Sequence, residues 1–167
     1  MVWNFSRKIF AGLFLQKVGG SVYQLDIKGK LTLYCSSIVT GKVYYCNGRE
    51  IGIVTGGVST AWSKASVVFN IKDTTKVISG PPVGSLLEYF NGRMYVVQQN
   101  VVWVSEQYDV NAFDLAKGLI QFESGITMVQ GVTDGLWVGT RNRVVFLRGS
   151  HPGDFKYEVK GMFGIVS

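Results

Sequence analysis

The stretch NGRMYVVQQNVVWVSE, residues 91–106, decides how the rest of the chain is read. It opens on Asn-Gly, continues as a hydrophobic run, breaks at Asn100 and runs again to Glu106. Asn-Gly tolerates positive φ at both central positions of a tight turn, so between apolar runs it signals a hairpin. A similar stretch, DGLWVGTRNRVVFLRG, follows 43 residues later at 134–149. With Gly92 laid on Gly135, Tyr95 falls on Val138, Trp103 on Phe146 and Val104 on Leu147. A one-residue gap then brings Phe113 onto Phe155. Upstream, Asn47-Gly48-Arg49 stands 44 residues before Asn91-Gly92-Arg93. This spacing is that of a four-stranded propeller blade, which buries its faces only against its neighbours. It predicts an all-β, antiparallel, propeller-like chain forming a single domain over 1–167, with repeat units at 41–84, 85–127 and 128–167. The alternative is a β-sandwich with coincidentally similar hairpins.

Alternation of apolar and polar residues carries the same class through the sequence. Runs rich in β-branched and aromatic residues stand at 21–27, 30–36, 42–46, 49–54, 65–71, 86–90, 93–98, 100–105, 126–132, 135–140, 143–148 and 155–159. Helical periodicity is weak, and the two best helix candidates are residues 6–16 and 110–118. Apolar residues make up 47% and charged residues 17%, which excludes a disordered chain. Cys35 and Cys46 are too few for a disulfide framework and are expected as thiols, able to face each other across neighbouring strands.

The net charge of +6 is uneven. Residues 1–50 carry seven Lys or Arg against Asp26 and Glu50, and residues 141–167 carry five against Asp154 and Glu158. The middle of the chain is slightly acidic. Basic ends suit proximity to DNA, although single scattered cations also suit a solvated surface. Arg7 and Lys8 precede a short apolar run at 9–15, with no small-residue cleavage site after it, so a soluble protein without a secretory leader is expected. No run is long enough for a helical membrane span.

Catalytic patterns are sparse. His151 is the one histidine and stands in a Pro-Gly loop. No Cys/His set has metal-ligand spacing, and no nucleophile elbow is present. GIVTGGVS at 52–59 has Val58 where a phosphate loop needs Lys, so its glycines read as a strand connection. No catalytic, metal or cofactor residue is assigned, and a non-enzyme is expected. Trp62, Trp103 and Trp137 can stack sugars or bases, but their apolar surroundings favour packing. The residues singled out are structural: Gly48, Gly92, Gly135, Trp103, Trp137, Phe146, Phe113 and Phe155.

Taken together, residues 91–95, 103–106, 113–114, 124–126, 134–140 and 146–155 resemble a pattern in bacteriophage virion proteins of β-propeller type. They are similar to segments of the tail nozzle, or tail-hub, proteins of short-tailed phages. The resemblance spans about half of the chain. It implies a structural, non-catalytic tail component, assembled in the host cytoplasm, that works as a homo-oligomer among other virion proteins. No functional residues carry over from it. The alternative is a binding module: a receptor- or glycan-binding tip, or a capsid decoration protein.

Overall fold

Tight turns with left-handed backbone set the frame. Thr40-Gly41 (φ 48 and 77), Gly56-Gly57 (58 and 86) and Asn91-Gly92 (46 and 78) each have positive φ at both central positions. That geometry matches the right-handed twist of the strands they join. The structure is a computed structural model that describes residues 13–16, 22–25, 35–64 and 76–162.

Among the described residues, every strand pairing is antiparallel. β1 (Leu13–Gln16) and β2 (Val22–Leu25) form a two-stranded ladder. β3 (Cys35–Val39), β4 (Lys42–Cys46), β5 (Ile51–Thr55) and β6 (Val58–Ala61) make sheet I, in chain order. β7 (Ile78–Ser79), β8 (Leu86–Phe90), β9 (Arg93–Gln98), β10 (Val101–Glu106) and β11 (Asp109–Asp114) make sheet II, in the order β7-β11-β10-β9-β8. β12 (Leu119–Gln121) lies along the first half of β10. β13 (Ile126–Val132), β14 (Gly135–Thr140), β15 (Val144–Arg148) and β16 (Lys156–Gly161) make sheet III, in chain order.

The chain is therefore all-β, with three four-stranded meanders in succession. Their first strands lie side by side, β3 against β8 and β8 against β13. One core fills the space between sheets I and II, around Tyr44, Trp62, Met94, Val96 and Phe113. The other lies between sheets II and III, around Tyr95, Val97, Leu136, Val138 and Leu147.

The ladders fix how the sheets correspond. Two-residue turns separate Val39 from Lys42, Phe90 from Arg93 and Val132 from Gly135, each pair standing opposite one another in its ladder. Sheet I thus maps onto sheet II with a shift of 51 residues, and sheet II onto sheet III with a shift of 42. The second hairpins obey the same shifts, because Tyr44↔Ile53, Tyr95↔Val104 and Trp137↔Phe146 are corresponding pairs. Successive strand residues point to opposite faces, so these pairs occupy one face of each sheet. In sheets I and II that face is buried against the next sheet.

Several expectations are corrected by this register. The 43-residue shift is one residue too long, because the β13–β14 turn is Thr133-Asp134 and not Asp134-Gly135. Gly92 is a turn residue with φ +78, whereas Gly135 is a strand residue without positive φ. Asn47-Gly48 lies in the second hairpin of sheet I, while Asn91-Gly92 lies in the first hairpin of sheet II, so the two do not correspond. Trp103 corresponds to Val145 and faces sheet I, so it is not the counterpart of Phe146. Phe113 lies opposite Ser105 within β11, whereas Phe155 precedes β16; the counterpart of Phe113 is Tyr157, opposite Leu147. Sheet I begins at Cys35, ahead of the expected unit of 41–84.

The helix expected at 110–118 is β11 and the turn after it, with Val110, Ala112 and Phe113 buried. Residues 13–16 of the other helix candidate are β1, and residues 6–12 lie outside the described residues, as does the strand run at 65–71. β6 and β12 carry no strong apolar alternation and were not expected. Cys35 and Cys46 are opposite one another in the β3–β4 ladder, and Cys46 is buried.

The two glycines make different demands. A Cβ on Gly92 would come within 2.7 Å of the Tyr108 ring, and its backbone is left-handed. A Cβ on Gly135 would overlap the Leu147 carbonyl oxygen, and the Phe146 ring lies over the same spot. Gly92→Ala should cost about 1 kcal/mol from backbone strain. Gly135→Ala should cost about 1–3 kcal/mol, because β14 and β15 must part to admit the methyl group. Urea denaturation checks both. Adding Phe146→Ala should fail to rescue Gly135→Ala, since the obstructing atom is backbone.

Candidate functional site

A concavity lies where the first hairpins of sheets II and III meet. Tyr89, Phe90 and Asn91 form one wall, Gly131, Val132 and Thr133 the other, and Ser150 closes the end. The cleft is open and holds about 450 Å³. The Asn91 side-chain amide donates to the Ser150 carbonyl at 2.6 Å, tying the β8–β9 turn to the loop after β15.

Behind these walls Glu88 joins the two sheets. Its Oε1 accepts from the Gly131 N–H at 3.0 Å and from the Gln130 side-chain amide at 3.2 Å. Gly131 is needed there because a Cβ would stand 2.9 Å from Phe90 Cβ and 3.1 Å from the Glu88 carboxylate. Burial pushes the Glu88 pKa up, and the Gly131 hydrogen bond partly opposes the rise. Nearby, Tyr95 is fully buried between Phe90 and Phe155, and its hydroxyl has no hydrogen-bond partner among the described residues. Burial raises the Tyr95 pKa as well.

His151 caps the short 3-10 turn Pro152–Asp154. Its Nδ1 accepts from the Gly153 N–H at 3.2 Å, and its own N–H donates to Asp154 Oδ1 at 2.9 Å. The Ser150 hydroxyl donates to Asp154 and not to the imidazole. These bonds, the His151 N–H first among them, hold the Asp154 carboxyl below its ordinary range. The arrangement is that of a loop built around one carboxylate. Among the described residues, no three of His, Cys, Asp and Glu converge to hold a metal ion. Gly56-Gly57 within 52–59 is the turn between β5 and β6. Among the described residues, no helix is long and apolar enough to cross a membrane.

The aromatic residues singled out from the sequence are not gathered at this cleft. Trp103 packs on the core between sheets I and II and donates its indole N–H to Gln98 Oε1 at 3.1 Å. Phe113 is fully buried there beside Trp62, whose indole N–H reaches Asn111 Oδ1 at 3.0 Å. Trp137 and Phe146 stack on each other, centroids 4.7 Å apart, on the face of sheet III turned away from sheet II. Gly48 donates its N–H to the Gly84 carbonyl and stitches sheet I to the approach to β8. Only Phe155 packs close to the cleft, through Tyr95. Sequence reasoning missed Glu88, although a lone carboxylate in the apolar run LLEYF was its signal.

No protein-family model matches the chain, and no curated protein matches it either.

A carboxyl whose pKa rises on folding stabilises the fold at low pH and loses that contribution as pH climbs through its folded value. Glu88 starts from an ordinary value of 4.5. The stability of the wild type relative to Glu88→Gln should therefore fall as pH rises above that value. Denaturation of both proteins across a pH series checks this; a difference that stays flat would mean that the carboxylate is solvated.

Proposed function

We propose that the protein is a structural, non-catalytic component of a bacteriophage virion, of the tail nozzle or hub type, with its three sheets arranged as successive propeller-like blades. The observation that carries this reading is where the resembling segments fall. They occupy β9, β10, β11, β14 and β15, strands that build the two cores, and Phe155 packs on the second of them. The blade arrangement is supported by the inner strands β3, β8 and β13 lying side by side and by the common facing of corresponding residues. The described sheets do not close into a ring, which suits a subunit completed by neighbours. In this reading it is assembled in the host cytoplasm, contacts other virion proteins and its own copies, and holds its basic ends near DNA.

The binding-module reading is favoured by one specific feature, the open cleft lined by Phe90, Asn91, Thr133 and Ser150, whose polar groups are able to hydrogen-bond a glycan or receptor segment. Antibodies against the protein, applied to purified particles of a phage that encodes it, separate the readings. Gold label at the tail hub is expected. Label at the fibre tips or over the capsid would favour the binding module, and particles free of the protein by mass spectrometry would end the virion reading.

A further inference from the structure

The sequence holds two cysteines, and the fold sets them opposite one another. Cys35 on β3 and Cys46 on β4 are Cα partners in the ladder that the Thr40-Gly41 turn closes. The shifts that relate the sheets make the corresponding pairs Leu86↔Val97 in sheet II and Met128↔Gly139 in sheet III. Those sheets fill the position without cysteine, so neither the ladder nor its packing demands a thiol there. Cys46 is fully buried, in the core shared with sheet II. Directly opposite residues of an antiparallel ladder have Cα atoms about 4.5 or 5.5 Å apart, and a disulfide spans about 4.4–6.8 Å. Either spacing admits the bond without backbone movement.

We propose that Cys35 and Cys46 form a cross-strand disulfide site, oxidised by exchange with a low-molecular-weight disulfide. One cysteine, as its thiolate, attacks a sulfur of the small disulfide, forming a mixed disulfide and releasing one small thiolate. The other cysteine, once deprotonated, attacks the protein sulfur of that mixed disulfide and releases the second. The cysteine pair loses two electrons and two protons, and the small disulfide takes them up as two thiols. Cys35 is the first residue of β3, at the end of the ladder farthest from the turn, where strands fray first. The bond fastens that end of β3, the strand that lies beside β8, and so steadies the join between sheets I and II. The site rests on strand register alone. Its timing rests on the virion reading, in which the chain leaves a reducing cytoplasm when particles are released.

Equilibration of the full chain with oxidised and reduced glutathione, followed by acid quench, alkylation and mass spectrometry, tests the site. Cleavage after Lys42 and Arg49 separates the cysteines, so trypsin without reductant should release peptides 31–42 and 43–49 as one linked pair. The bond should form at least about tenfold more favourably in the folded chain than in urea, because a disulfide that fits native geometry stabilises the fold. A mixed disulfide that does not resolve, a bond between chains, or an equilibrium no more favourable folded than unfolded overturns the site. The same alkylation should trap thiols in intact host cells and find the bond in released particles. Thiols in released particles overturn the timing, while the glutathione result decides the site by itself.

Discussion

Strand register is the constraint on which the rest of this structure depends. Side chains alternate with a period of two, so a slip of one residue would turn every core residue of a strand toward the other face. In sheet II, Met94 and Val96 serve the core shared with sheet I, while Tyr95 and Val97 serve the core shared with sheet III. A strand that is buried on both sides has no indifferent face. The turns that set this register, Thr40-Gly41 and Asn91-Gly92, are two residues long and left-handed, and they leave no slack. Tyr108 reinforces the second of them, donating its N–H to the Gly92 carbonyl at 2.6 Å.

Class and most strands were legible because alternation and turn residues are local signals. The runs at 42–46, 86–90 and 93–98 coincide with β4, β8 and β9. Register between repeats was not legible, because two glycines in similar strings serve different purposes. Gly92 supplies a backbone conformation, and Gly135 supplies room for the Phe146 ring and the Leu147 carbonyl. A sequence pattern records that both are glycine and nothing about why. β11 was misread because Asp109, Asn111 and Asp114 dilute its apolar content, and its burial depends on Trp62 and Asn111 meeting across 49 residues of sequence. The cleft was equally hidden, since its walls come from two hairpin turns and a loop that only sheet packing brings together.

The junctions between sheets differ in chemistry. Sheets I and II are joined through Trp62, packed edge-on against Tyr44 and Phe113 and hydrogen-bonded to Asn111. Sheets II and III are joined near their inner strands by the Glu88 carboxylate on the Gly131 amide. The first junction is an aromatic contact, in which burial raises the Tyr44 pKa. The second sets a half-buried carboxylate against a single backbone amide and one side-chain amide, with the cleft on its outer side.

The register of sheet III is the most direct test of this account. In the structure Trp137 lies opposite Gln130 on β13 and Phe146 on β15, with the turn at Thr133-Asp134. Backbone NOEs recorded on labelled protein should connect Trp137 to Gln130 and Gly135 to Val132. A turn at Asp134-Gly135 would instead place Thr133 opposite Leu136 and Trp137 opposite Val132. Backbone NOEs with that second pattern would contradict the 42-residue correspondence and with it the common facing of the three sheets.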